Sequence, residues 1–582
     1  MPDAISTTEN KNKVLKFVLF PLIICAVYAF LCLYGISTGL PSDERLNVSL
    51  GGISSVEKNR EKISQLISSG IAERSEFIQK EDKPQMALLS PYLDMLRTYH
   101  PDEQYILKVI ARMVREKDIN PGSYIYGPFF FYQVGAGLCA GKILGLIPSG
   151  QDALYYMEHP SEFAPVYLNA RLVCAFFGIM TLIVTYLTGM KIGGLRIAVT
   201  ASGILALMPL MNMAGKFIKP DTPAAFWTVA ALFFAVSAIS RAKWSDYILS
   251  GICTGLAAGS KYPAVLAGSF ILVYHIIRRV KEKKGIICPE DLMLITAGLA
   301  SLMSFIITNP AFLVHNGIFM QDVKWISGVL REGSFLNNLW DSAVCYTQDA
   351  FLFDIGPAAS IAIVAGLFVI LKKPSAEFAG MLPAIAAFMF FACRGRPGSD
   401  AYMLPVYPAL ALIGAKAFES ISNRYLRYGL FAALAVVTFS YSLAYSRVAA
   451  AENVRLSAAR WFNEHAPAGA SVASLQYPVG YRVPMVSPER YILKSSDFDK
   501  DALKCDYYFD SSFEWKYSNW QDRFAGRTVE NPPPSSDYEV IIRMENVPRA
   551  LFGLLPLKRK NMLSPYIETI APCIVIYKRK GI

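Results

Sequence analysis

YHPDEQYILKVIARMVREKDINPGSYIYGPFFFY, residues 99–132, is the stretch on which the reading of this chain turns. Pro101 opens a helix and puts Asp102 and Glu103 in its first turn, where the helix dipole favours acids. Apolar residues then recur at three- and four-residue spacing through Val114, the pattern of an amphipathic surface helix. A Pro121-Gly122 turn follows. An aromatic run beginning Tyr126-Gly127-Pro128 then leads into an apolar segment that continues to Ile147. An acidic pair at the edge of an apolar, aromatic segment suggests chemistry on something held in a membrane.

The composition supports a membrane setting. The chain has 582 residues, 53 % hydrophobic and 18 % charged, against about 25 % charged in soluble proteins. Mean hydropathy is +0.33. The net charge of +11 does not point to nucleic acid, because Lys and Arg cluster in short loops between apolar runs. The ten Cys residues show no metal-type spacing. Cys505 and Cys573 share the polar tail, which leaves a disulfide between them open.

The first apolar run, from Val14 to about Ile36, follows Lys11 and Lys13. It is longer than the roughly 7–15 residues of a signal-peptide core, so it reads as a retained anchor with a cytoplasmic N-terminus. Residues 37–124 are polar, with helical pattern from Ser55 to Arg74, and too polar to span. Further apolar runs are Leu168–Met190, Ile197–Met213, Pro223–Ile239, Tyr247–Gly259, Tyr262–Ile277, Leu292–Ile307, Gly356–Leu371, Phe378–Cys393, Tyr402–Gly414 and Tyr428–Tyr445.

Parity decides the status of Tyr124–Ile147. If it spans, the basic loops at Lys191/Arg196 and Arg279–Lys284 fall outside, against the positive-inside rule. If it lies along the outer surface, the loops at Lys191/Arg196, Arg241/Lys243, Arg278–Lys284, Lys372/Lys373 and Lys416–Arg427 are all cytoplasmic. The second reading gives a polytopic α-helical protein of about 11 spans. Residues 1–36 are the cytoplasmic tail and first span, and 37–167 a large outer loop with surface helices. Residues 168–446 are the multi-span domain, and 447–582 a small α/β extracytoplasmic domain. In this last part, helix Ala451–His465 precedes strand-like runs at Ser471–Gln476, Tyr507–Asp510, Glu539–Ile542 and Cys573–Lys578.

On this topology the outer face collects Asp102, Glu103, Asp221, Lys261, Arg394 and Arg396. Each has two readings. The acidic pair is either a helix start or a catalytic site with Asp102 as general base. Asp43-Glu44, nearer the exit of the first span, is a rival for that role. Asp221, in KFIKPDTPAAF, is a helix cap, a second acid or a ligand of a divalent cation. Lys261, in GSKYP, snorkels or meets a phosphate. Arg394 and Arg396 share those two readings, and Arg suits phosphate through its bidentate fork. His100 has no second His near it and reads as structural.

The order of these segments resembles the membrane glycosyltransferases of GT-C fold. The resemblance is to the branch of the dolichyl-phosphate-mannose protein mannosyltransferases and the lipid A aminoarabinose transferase (glycosyltransferase family 39-like). The residues that carry it are HPDEQYILKVIARM through YGPFFFY, LNARLVCAFFGIMTLIVTYLTG, LRIAVTASGILALMPL, IKPDTPAAF, SGICTGLAAGSKYPA, DAYMLPVYPALAL and VRLSAARWFNEHAPAGASV. Together they cover roughly residues 99 to 480.

The resemblance implies a sugar on a polyprenyl phosphate as donor, Asp102 as catalytic base with Glu103 as its partner, Asp221 as second acid, and Lys261 near the donor phosphate. The implied location is a cell (inner) membrane, with the site on the extracytoplasmic face. The acceptor, whether protein, lipid or glycan, is left open, and so is a divalent cation as cofactor. Two departures stand out: the long insert before Asp102, and Ala401 where the family pattern carries a basic residue before Tyr402. Arg394 or Arg396 is the expected substitute.

A transporter or flippase of a lipid-linked substrate is the alternative, but no repeat and no mid-span charge support it. An assembly protein acting through its tail is a third reading, and the outer-face clustering of acids and bases argues against it.

Overall fold

The computed structural model describes residues 15–68, 89–148, 150–241, 243–283, 289–330, 335–394, 400–475, 480–495, 501–514, 535–558 and 565–581. Arg396 lies outside them. The fold is mostly helical, and among the described residues six helices are long and apolar enough to cross a membrane. Shorter apolar helices, Phe17–Leu33 and Pro357–Lys372, accompany them. The protein is a multi-pass membrane protein of helical type.

Helix α1 (Phe20–Leu33) is the first apolar run, and α2 (Asp43–Leu50) follows its exit. Helix α3 (Pro101–Glu116) is the amphipathic helix of the opening stretch. Helix α4 (Pro128–Ile143) has 16 residues, about 24 Å at 1.5 Å per residue. That falls short of a hydrocarbon core of about 30 Å. Helix α5 runs Pro160–Leu207, but Gly194 (φ 72°, ψ −163°) breaks it. The two apolar runs around Lys191 and Arg196 are therefore two helices joined at one glycine, a conformation that a Cβ would disfavour.

Helices α6 (Asp221–Arg241), α7 (Trp244–Ser260), α8 (Gly268–Lys281) and α9 (Asp291–Thr308) follow. On α7, Gly251, Gly255 and Gly259 recur every fourth residue. The first two lie against the Ala297 backbone and against Ser301 and Ser304 of α9, with no room for a Cβ. This small-residue stripe lets two helix backbones touch where no aqueous driving force exists. The opposite face of α9 exposes Leu292, Ile295, Leu299, Leu302, Met303 and Ile307, as a lipid-facing helix does. Further along the chain come helices α10 (Pro357–Lys372), α11 (Leu382–Cys393), α12 (Tyr407–Glu419) and α13 (Arg424–Ala450).

The tail begins with α14 (Val454–His465). It packs on a five-stranded sheet in the order β2-β1-β3-β7-β4. The strands are β1 (Ser471–Ser474), β2 (Ile492–Ser495), β3 (Tyr507–Ser511), β4 (Tyr538–Met544) and β7 (Ile574–Arg579). The β2-β1-β3 part is parallel, and β7 runs antiparallel to β3 and β4. Phe462 of α14 meets Tyr491, Tyr507 and Phe509 edge-on or tilted. A separate hairpin, β5 (Arg549–Ala550) with β6 (Leu555–Pro556), leaves this sheet and lies against α13.

The disulfide left open by the sequence does not form: Cys505 and Cys573 are free thiols. Ser511 pairs with Ile574 and Tyr507 with Lys578, so the two cysteines sit at opposite ends of the β3–β7 pair. That separation is about 20 Å along the strands, far beyond the reach of a disulfide.

Candidate active site

Helix α3 buries Ile106, Leu107, Val109 and Ile110. Glu103 lies on the same face, three and seven residues before Ile106 and Ile110, and is fully buried. Arg171 of α5, also buried, donates to its carboxylate from Nε (2.8 Å) and Nη2 (2.6 Å). The Thr98 hydroxyl (2.6 Å) and the Ile218 N–H (3.0 Å) donate as well. Nη1 of Arg171 reaches the carbonyls of Ile36 and Thr38, just beyond α1. Glu103 is thus saturated, and its bonds tie α3, α5, the exit of α1 and the 216–222 segment together.

Lys216 completes that clamp. It is fully buried and donates to the carbonyls of Leu31, Cys32 and Tyr34, capping the C-terminus of α1. Burial lowers it to about 8. At the other end of the segment, the Thr222 hydroxyl donates to the Cys174 carbonyl. Lys219 and Asp221 are therefore presented on a loop fixed at Lys216, Ile218 and Thr222.

Asp102 is one residue before Glu103, about 100° round the helix, and its side chain is 33 % exposed. Its Oδ2 lies 3.6 Å from Lys219 Nζ and 3.9 Å from His100 Nδ1, and the Tyr126 hydroxyl hydrogen-bonds to it. Burial acts to raise the Asp102 pKa, but Lys219, His100 and Tyr126 together outweigh it and hold the carboxyl below its ordinary value. His100 is pushed down to about 4, chiefly by burial, so it is neutral at pH 7.

Lys219 also lies 3.8 Å from Asp221 Oδ2, and Lys261 Nζ is 2.5 Å from Asp221 Oδ1. Asp221 is 1 % exposed, and its Oδ2 makes no hydrogen bond. Lys261 donates to the Ala401 carbonyl (3.2 Å) and sits 4.5 Å from the Tyr402 ring centre. Burial lowers Lys261 from its usual value, with Asp221 opposing. Two close approaches deliver it. Gly127 sits on the Gly259 carbonyl, where any Cβ would collide. The Tyr262 hydroxyl donates to the carbonyls of Tyr124 and Tyr126. Asp102, Lys219, Asp221 and Lys261 thus form one line of charges of alternating sign, with Tyr126 beside Asp102 and Tyr402 beside Lys261.

The other expected residues are placed elsewhere. Asp43 accepts from the Ser161 N–H (3.1 Å) while its own N–H donates to the Ser161 hydroxyl (2.9 Å). Glu44 pairs with Arg460 at 2.6 Å. These contacts join α2 to α5 and α14, and neither acid is paired with Lys219 or Lys261. Arg394 stacks on Phe391 of its own helix at 4.7 Å. The ammonium of Lys261, at the 401–402 backbone, stands where the sequence reading looked to an arginine. Lys219, two residues before Asp221 in KFIKPDTPAAF, is the cation shared by both acids.

A divalent cation fits this alternation poorly, because between the acids it would face two ammonium groups. Among the described residues no group of three or more His, Cys, Asp or Glu side chains is arranged to hold a metal ion.

Residues 144–315 match the family model of dolichyl-phosphate-mannose-protein mannosyltransferases. The resemblance to GT-C glycosyltransferases read from the sequence stands on this match. The mannosyltransferase-matching segment carries Arg171, Lys219, Asp221 and Lys261, whereas Asp102 lies upstream of it.

An uncharacterized protein of Aquifex aeolicus (strain VF5) is 25 % identical over 293 residues, 47 % of this chain and 54 % of that protein. The chain thus spans about half the length of the curated relative it matches. Among solved structures, ArnT from Cupriavidus metallidurans bound to undecaprenyl phosphate aligns over 96 % of this chain and 97 % of its own, at 14 % identity and TM-score 0.41. The oligosaccharyltransferase AglB from Archaeoglobus fulgidus, in complex with an inhibitory peptide and a dolichol-phosphate, aligns over 74 % and 65 %, at 14 % identity and TM-score 0.35.

Proposed function

We propose that this protein is a membrane glycosyltransferase that moves a sugar from a polyprenyl-phosphate donor to an acceptor at the outer face of a cell membrane. The observation that carries the proposal is the charge alternation in which the partly exposed Asp102 and the buried Asp221 share Lys219, with Lys261 beside them. Asp102, kept ionised at neutral pH, takes the proton of the acceptor's hydroxyl or amine as that atom attacks the anomeric carbon. The anomeric carbon–phosphate oxygen bond breaks, and the polyprenyl phosphate leaves with its charge met by Lys261 and Lys219. The proposed reaction is a single displacement, with inversion at the anomeric carbon. The free Oδ2 of Asp221 orients a hydroxyl of sugar or acceptor.

Support for the outer-face placement comes from the helix ends. Helix α6 begins at Asp221 and ends at Arg241, while α7 begins beside Lys243 and ends beside Lys261. The charged site and the basic loops therefore lie at opposite ends of the same helices, as an eleven-span topology with a cytoplasmic N-terminus requires. In that topology the tail from residue 447 is extracytoplasmic.

The test is reconstitution of the purified chain in proteoliposomes with a panel of polyprenyl-phosphate sugars, following sugar transfer by mass spectrometry. Transfer to a lipid, peptide or glycan acceptor is expected. Movement of the lipid-linked sugar across the bilayer with no transfer would establish the transporter reading instead.

A further inference from the structure

We propose a second lipid site, apart from the charged site of Asp102 and Lys261, that holds an anionic phospholipid of the surrounding membrane by one acyl chain and its phosphate. A groove of about 600 Å³ runs between α1, the second half of α5 and α13, closed on one side by the β5–β6 hairpin. It is lined along α13 from Phe431 to Arg447, about 24 Å of helix. Ile23, Gly203 and Phe439 form its apolar walls. Gly203 keeps it open, since a Cβ there would stand 3.2 Å from the Phe431 ring.

The hairpin is what makes the groove a site. Its Leu551 N–H donates to the hydroxyl of Ser440, which lies about ten residues before the end of α13, roughly 15 Å along the axis. A segment of the polar tail thus turns back alongside the apolar part of a spanning helix. Leu551, Phe552 and Gly553 all have positive φ (50°, 57° and 94°), a costly turn for two branched or bulky residues. The turn leaves Phe552 91 % and Leu554 83 % exposed. Apolar tips held in strained backbone at that depth face hydrocarbon, not water.

Two cations, Arg447 from α13 and Arg549 from the hairpin, line the groove. Neither guanidinium meets a carboxylate among the described residues; Arg549 reaches only the Gly553 carbonyl, at 3.5 Å. An apolar slot with two uncompensated guanidiniums matches a phosphate-bearing lipid, through the bidentate fork of arginine and the apolar area of a chain.

The test uses the delipidated full chain and native mass spectrometry, with added phosphatidylglycerol or phosphatidylcholine of identical acyl chains. One phosphatidylglycerol per chain is expected, at least tenfold tighter than phosphatidylcholine. The double variant Arg447→Gln/Arg549→Gln should lose the preference, and the double Lys variant should keep it. Gly203→Leu, which fills the slot without touching charge, should weaken both lipids. Equal retention of the two lipids, no retention by the unmodified chain, or a preference that survives the Gln double variant would overturn the proposal. None of these readings depends on sugar transfer.

Discussion

Asp102 and Glu103 are adjacent carboxylates with opposite fates. Glu103 is fully buried and takes four hydrogen bonds at 2.6–3.0 Å. Asp102 is one-third exposed, with the Lys219 ammonium 3.6 Å and the neutral His100 ring 3.9 Å from its Oδ2. A carboxylate already saturated by arginine, hydroxyl and backbone donors has no capacity left for a substrate. One held ionised at a distance has. The two regions are also coupled, because the Glu103–Arg171 lock fixes Ile218 and so the loop that presents Lys219 and Asp221.

The largest stability effect expected from this contrast is at the lock. Glu103→Gln or Arg171→Met leaves one buried charge unpaired and should lower stability by about 3–5 kcal/mol, read as a fall in unfolding temperature in detergent. An effect as small as that of a surface substitution would remove the distinction drawn between the two acids.

His100 sharpens the comparison through pH. Its folded pKa, about 4, lies below the unfolded value of about 6.5. The unfolded chain therefore takes up a proton first as pH falls. Stability contributed by keeping His100 neutral is intact above about pH 6.5 and is lost progressively down to about pH 4, by roughly 3 kcal/mol in all. His100→Gln should flatten that acid limb of the melting profile; an unchanged limb would place the titration elsewhere.

Lys261→Met should weaken retention of polyprenyl phosphate by about 10- to 100-fold, the worth of one hydrogen bond to a charged group, and should also lower the unfolding temperature, because it strips the buried Asp221 of its nearest cation. Unaltered lipid retention would detach Lys261 from the donor. The smallest effect is at Asp43. Asp43→Ala removes a capping interaction worth about 1 kcal/mol and should leave transfer intact; a loss of transfer with folding preserved would revive Asp43 as the base.

Much of this arrangement is legible in the sequence, because membrane topology is written in charge. The parity of the basic loops puts Asp102, Asp221 and Lys261 on one face without any contact being known. The roles of Glu103 and Lys219 were harder to read, since they depend on partners that sequence distance hides. Arg171 is 68 positions from Glu103. A signal existed: Glu103 shares the apolar face of α3 with Ile106 and Ile110, and a buried acid needs a buried cation. Arg171, at the edge of the run LNARLVCAFF, was available to supply it. The hairpin at Arg549–Pro556 carries only a short apolar stretch in a polar tail, and its docking on α13 is set by tertiary contacts that no periodicity announces.

The central claim is that Asp102, not its neighbour, does the chemistry. Turnover of Asp102→Asn in proteoliposomes with a polyprenyl-phosphate sugar, normalised to folded protein, tests it directly. A drop of about 10²- to 10⁴-fold with an unchanged unfolding temperature is the predicted result. Undiminished transfer by the folded variant would contradict it.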